Sequence, residues 1–213
     1  MIAKTKNRKT RKEKRSFGFL LMLAAIFMVV ITGTFTVISG IKPDEAFEKV
    51  ANQLFEPEIP EKYIPLYQEA ADEYKIPWTL LAAHHRVETK FSSMDPLLSP
   101  VGAEGHLQFM PCTFVGWEHP TCTGLGQGEI RESEKTDPVV IEKYGGYGVD
   151  GNGDGVADPY NLTDALHSAA NYLSRNGAAT GELEHAIFDY NQSEEYVEEV
   201  LFFYEKYENQ LRQ

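Results

Sequence analysis

Glu88 is the residue best placed to do acid chemistry. It closes the apolar stretch LLAAHHRVE inside residues 76–111, which read IPWTLLAAHHRVETKFSSMDPLLSPVGAEGHLQFMP. Pro77 suits the first turn of a helix, where its missing N–H costs nothing. Leu80, Leu81 and the run from Ala83 to Val87 make that helix strongly apolar, and it is expected to end near Glu88. A carboxyl group held against apolar surroundings has its charged form disfavoured, so its pKa rises. An acid still protonated near neutral pH is what a general acid in glycosidic cleavage must be. Phe91 and a Ser-, Gly- and Pro-rich loop follow. Residues 102–111, GAEGHLQFMP, then form a Gly-bracketed turn that delivers Gln108, Phe109 and Met110 into the next helix.

Two metal chemistries have to be weighed. In HHRVE, His84 and His85 precede Glu88 by four and three residues, so one helical face could offer imidazole and carboxylate to zinc. The order is not HExxH, and only His106 and His119 lie nearby, so imidazoles packed in the core or at a groove wall are the preferred reading. The other chemistry belongs to residues 150–158, DGNGDGVAD. Asp150, Asn152 and Asp154 alternate as oxygen ligands, Gly155 allows the sharp turn and Val156 offers a carbonyl, which is the first half of a calcium loop. Position twelve is Asn161 rather than Glu, so Asp158 or Asp164 would have to close the shell. A structural calcium is expected; an Asp/Gly-rich surface turn without metal is the alternative.

Four pieces occur in one order along the chain: the Glu of ETKF, a GxxGxxQFMPxT-like run to Thr113, a later AANYL and a final DYN. The set resembles the lytic murein transglycosylases of the lysozyme-like superfamily, over about residues 63–201. The resemblance implies a mainly α, lysozyme-like fold with Glu88 as the sole catalytic acid/base. It also implies that Gln108, Phe109 and Met110 line a glycan groove, and that Tyr190 and Asn191 face the acid across it. Thr89 stands where Ser is common, and Asp189-Tyr190-Asn191 where AYN is usual; neither change removes a group the chemistry requires. Some of these enzymes resemble the chain in a calcium loop before the AANYL-type helix as well.

The implied reaction cleaves the β-1,4 bond between N-acetylmuramic acid and N-acetylglucosamine in peptidoglycan, leaves a 1,6-anhydromuramoyl end and needs no cofactor. A hydrolytic muramidase of the same fold would require a second acid, for which Asp95 and Glu104 are available. A non-catalytic cell-wall glycan-binding module would have no use for Glu88.

The elements that must position these residues begin at the N-terminus. Residues 1–16 carry eight Lys and Arg against one acid, and residues 17–39 run 23 positions without a charge. As a helix that span is about 34 Å long, enough to cross a hydrocarbon core of about 30 Å. It is too long for a signal-peptide core and lacks a clear small-residue cleavage site before Lys42. The positive-inside bias keeps the basic tail cytoplasmic and puts everything after Gly40 outside, as a single-pass protein of the cell membrane. The adjacent span accounts for the basic tail, so no nucleic-acid partner is expected, and no residue pattern points to a protein partner.

Beyond residue 16 the chain holds 12 Lys and Arg against 31 Asp and Glu, a net charge of −19. So acidic a domain cannot hold an anionic polymer by a basic patch, and glycan recognition must come from hydrogen bonds and stacking. Residues 40–61 read as a short amphipathic helix and a Pro-containing linker, leaving residues 62–213 as the catalytic domain. A helix over residues 63–74, with Ile64, Tyr67, Ala70, Ala71 and Tyr74 on one face, pairs with the Glu88 helix as an αα-hairpin. Cys112 and Cys122, both on the external side, are expected to pair and to pin a loop carrying Trp117, a residue suited to sugar stacking or to core packing. Thr163 is expected to cap the helix TDALHSAANYLSRN, which stops at Gly177; Glu182 opens the next, and Ser193 caps the last, with Val197, Val200, Leu201 and Tyr204 inward.

Overall fold

The computed structural model describes residues 59–212; the expected tail 1–16, membrane span 17–39 and most of the 40–61 linker lie outside them. Among the described residues no helix is long and apolar enough to cross a membrane. They form a mainly helical unit that starts at Ile59. Its α-helices are α1 (Ile64–Tyr74), α2 (Trp78–Thr89), α3 (Pro111–Val115), α4 (Glu132–Lys135), α5 (Pro138–Tyr144), α6 (Leu162–Arg175), α7 (Leu183–Tyr190) and α8 (Glu194–Leu211). Two isolated β-bridges, Leu98 to Glu104 and Glu104 to Phe109, are the extended pairings among these residues.

The core follows from helix α2. Leu80 through His85 are completely buried, so this helix is enclosed on every side at its middle rather than along one stripe. α1 lies along it as the second arm of an αα-hairpin and also packs on α6, while α8 packs on α2 as well. Ala165, Leu166, Ala169, Ala170 and Leu173 are the buried face of α6, and their small side chains allow that close approach. On α8 the inward stripe is Tyr196, Val197, Val200, Phe203 and Tyr207. Leu201 and Tyr204, expected inward, flank that stripe and are only partly buried.

Local signals set most of the helix ends. Pro77 stands at the N-cap of α2, and Ser193 caps α8 by accepting from the Tyr196 N–H. Asn161, not Thr163, caps α6: its side-chain oxygen accepts from the N–H groups of Thr163 and Asp164. A shorter-range choice thus wins, because the cap must sit just before the first helical residue to reach the free amides. The Cys112–Cys122 disulfide ties the start of α3 to the following loop, over a small cluster of Cys112, Val115 and Ile130.

Candidate active site

Glu88 lies in the last turn of α2, half-buried, with α8 crossing beside it. The Tyr196 hydroxyl of α8 donates to Glu88 Oε1 at 2.5 Å. Burial pushes the carboxyl from its ordinary value of 4.5 up to about 8; the Tyr196 hydrogen bond opposes that rise and the negative Glu199 adds to it. Glu88 therefore holds its proton at neutral pH while part of its surface stays exposed.

The two histidines before it are core residues. His84 Nδ1 lies 2.9 Å from the Tyr196 hydroxyl, and His85 is engaged at both ring nitrogens. The tautomers of a longer chain can be read from its far end. His106 Nε2 sits 3.0 Å from the Tyr160 carbonyl, an acceptor only, so Nε2 carries the proton and Nδ1 accepts from Ser92. Ser92 in turn accepts from His85 Nε2–H, which leaves His85 Nδ1 to accept from the Tyr67 hydroxyl. Burial drives both His84 and His85 down to about 3, so both are neutral. A ring nitrogen committed to a hydrogen bond has no lone pair for a metal, which removes His85 from any zinc site.

Immediately after Glu88 the backbone turns sharply. Lys90, Phe91 and Ser92, none of them glycine, all take positive φ of 49°, 58° and 65°. Such residues cost of order 1 kcal/mol or more each and persist only where the surroundings hold them. Thr89 supplies part of that hold: its buried hydroxyl donates to the His106 carbonyl at 2.9 Å and accepts from the Ser92 N–H. The turn after α2 is thereby bolted to the Gly-bracketed run of residues 102–111. Gly105 of that run is required, since a Cβ there would meet the Pro159 carbonyl oxygen at 2.0 Å.

The expected groove residues separate into two groups. Gln108 is partly exposed, takes φ 50° and donates through Nε2 to the Gly105 carbonyl; Met110 is also partly exposed. Tyr190, at the end of α7, donates its hydroxyl to the Leu107 carbonyl at 2.7 Å, and its ring lies 5.0 Å from that of His84. The α7 end and the 102–111 turn thus meet α2 one helical turn before Glu88, and Asn191 is exposed next in the chain. Phe109 is different. Only 3 % exposed, it packs edge-on against Phe114 and Tyr172 and tilts against Tyr190, as a core residue that also lines the cavity shared by Glu104 and Lys135. Trp117 is 52 % exposed beside Gly126, which excludes the core-packing reading for its indole. Glu104 pairs with Lys135 at 2.9 Å in a cavity of about 260 Å³ that Glu88 does not line.

The Asp/Gly loop is organised around its own carboxylates. Asp150 accepts from the N–H groups of Gly153, Asp154 and Gly155, Asp154 from Val156, and Asp158 from Tyr160. Asn152 Oδ1 accepts from Asp154 N–H, which completes alternating side-chain acceptors on one turn. Asp164 is buried and spends both oxygens on the Gly151, Asn152 and Asp158 amides, and Asn161 is the helix cap. These two hold the loop to α6. Among the described residues no group of three or more His, Cys, Asp or Glu side chains is arranged to hold a metal. The donor set of Asp150, Asn152, Asp154 and the Val156 carbonyl fits a hard cation in chemistry, with Asp158 the remaining carboxylate near its end.

Residues 141–195 match the family model of the transglycosylase SLT domain. The SLT match spans most of α5, the Asp/Gly loop, α6 and α7 with Tyr190 and Asn191, and ends one residue before Tyr196. Glu88 and residues 102–111 lie outside it. The match supports kinship with the lysozyme-like lytic transglycosylases of peptidoglycan, which need no cofactor for catalysis, and the mainly helical fold agrees with it. No curated protein and no solved structure matches the chain.

Sequence reasoning missed Tyr196. Its only signal is a hydroxyl on the buried stripe of α8, where a phenol needs a polar partner.

Proposed function

We propose that this protein is a peptidoglycan lytic transglycosylase with Glu88 as its single acid/base. The observation that carries the reading is the half-buried carboxyl held protonated at neutral pH, in a chain whose residues 141–195 match the SLT domain. In the first step Glu88 gives its proton to the glycosidic oxygen between N-acetylmuramic acid and N-acetylglucosamine. The C1–O bond breaks, its electron pair stays on that oxygen, and an oxocarbenium-like centre forms at C1. The sugar's own C6 hydroxyl then attacks C1 and returns its proton to the Glu88 carboxylate. A 1,6-anhydro ring results, and no water is consumed.

Gln108, Met110, Tyr190 and Asn191 would position the sugar, and Trp117 offers an exposed ring for stacking. The strongly acidic domain makes such uncharged contacts the natural means of holding glycan. The 17–39 span would anchor the protein in the cell membrane with the catalytic domain on the wall side. Residues 150–158, with Asp158 near the open end, would hold a structural calcium that takes no part in the chemistry.

Incubating the protein with purified murein and weighing the released ends tests the reaction. Anhydro ends support the proposal; products heavier by one water would make the protein a muramidase, and no release would leave a glycan-binding module. Of the two further acids a muramidase could use, Glu104 is paired with Lys135, and Asp95 is the other.

A further inference from the structure

We infer that Tyr196 and His84 form a two-link chain of hydrogen-bond donors that fixes which oxygen of Glu88 carries the proton. The inference rests on Glu88 being the acid, as proposed above. The Tyr196 hydroxyl lies between His84 Nδ1, at 2.9 Å, and Glu88 Oε1, at 2.5 Å. Tyr196 has one hydrogen to give, so two orders exist. Either His84 Nδ1–H donates to Tyr196 and Tyr196 to Glu88, or protonated Oε1 donates to Tyr196 and Tyr196 to His84.

Two grounds select the first order. His84 is completely buried, and its Nε2 has no hydrogen-bond partner among the described residues. The second order would place a proton on that nitrogen as an orphaned buried N–H, the rarest kind of unpaired group; the first places there a bare lone pair. The other ground is the cycle proposed above. Glu88 must be an acid in one step and a carboxylate in the next, and an ionised carboxylate only accepts. With the first order, Oε1 accepts from Tyr196 in both states and no other hydrogen has to move. The proton then leaves from and returns to Oε2 alone. Tyr196 and His84 are positioning residues: they touch the acid, not the sugar.

The chain also restrains the acid. Its donors stabilise the carboxylate against the burial that disfavours it, so Glu88 stays strong enough to part with its proton. The other titratable groups around Glu88 are Glu199 on α8 and Tyr190 at the end of α7. Of those on the remaining packed helices, Tyr67 of α1 meets His85, and His167 of α6 meets Glu73.

Tyr196→Phe keeps the ring and removes the donor. In the full-length protein, the lytic rate at pH 7 is expected to fall about tenfold, and the alkaline limb of the pH–rate profile to move up by about one unit. A carbon-13 titration of the Glu88 carboxyl should move by the same amount without any turnover. His84→Leu should shift it in the same direction by less, while His84→Asn, which keeps a donor amide near Nδ1, should restore the original midpoint. A midpoint unmoved in Y196F overturns the inference, whatever happens to the melting temperature; H84N shifting as far as H84L overturns the His84 link. Glu88→Gln separates the two levels. Activity surviving in E88Q would remove the acid assignment, whereas an inactive E88Q beside an unmoved Y196F midpoint would remove only the donor chain.

Discussion

His85 Nε2 and the Ser92 hydroxyl lie 2.7 Å apart, and that contact joins the buried middle of α2 to the strained turn behind Glu88. Through Ser92 it continues to His106 and the Tyr160 carbonyl, so the turn and the Asp/Gly loop region share one hydrogen-bonded chain.

Ser92→Ala breaks this chain at its centre. His85 Nε2–H loses its acceptor and His106 Nδ1 its donor, at a cost of roughly 1–3 kcal/mol. For a domain of this size that lowers the melting temperature by about 2–4 °C per kcal/mol. A melting curve coincident with the unaltered protein would mean that the chain contributes nothing.

Glu88→Gln tests catalysis and stability together. Activity on murein should drop at least ~100-fold, because the amide has no proton to give the leaving oxygen. Below pH 4.5 the Glu88 carboxyl is protonated in both folded and unfolded chains. As pH rises the unfolded chain releases the proton first, while the folded chain keeps it to about 8, so the folded state loses stability across that window. The Gln variant does not titrate. Its stability relative to the unaltered protein should therefore grow from pH 4.5 to about 8 and then level off. Chemical denaturation at a series of pH values reads this directly, and a difference constant with pH would contradict the buried, raised carboxyl.

Cys112 and Cys122 are bonded, so thiol titration of denatured, unreduced protein should find no free thiol. By the loop-entropy argument so short a loop contributes on the order of 2–3 kcal/mol. Reduction should lower the melting temperature more than it changes the products released from murein. Two thiol equivalents in the unreduced protein would refute the bridge.

Calcium should raise the melting temperature through residues 150–158. Affinity in the range of ~0.1–1 mM is expected, because neither Asn161 nor Asp164 closes the shell. At a hundredfold excess over the dissociation constant the gain is about 2.7 kcal/mol. Asp154→Ala is the informative variant, since among the described residues Asp154 accepts only from the Val156 N–H and the Asn152 amide, whereas Asp150 organises three backbone N–H groups. D154A should abolish the calcium gain and leave the metal-free melting point nearly unchanged. A curve insensitive to millimolar calcium would reduce the segment to an acidic turn.

What the sequence determined by itself was local. Pro77, Ser193 and the helical spacing of apolar residues mark α1, α2, α6 and α8 because starts, caps and faces depend on residues within a turn or two. The folding of residues 150–158 onto their own Asp and Asn side chains is likewise short-range. Even the raised pKa of Glu88 was legible in its apolar neighbours, since burial is the larger cause. The tertiary structure alone decided who meets whom. Tyr196 reaches Glu88 across 108 positions, and His84 reaches Tyr196 across 112, because α8 crosses α2 there. Periodicity told which face of α8 turns inward but not which residue of α2 it meets. Likewise Phe109, a groove residue by its motif, went into the core, and Trp117 came out to solvent. Such outcomes depend on how helices pack, and packing is a property of surfaces brought together from distant parts of the chain.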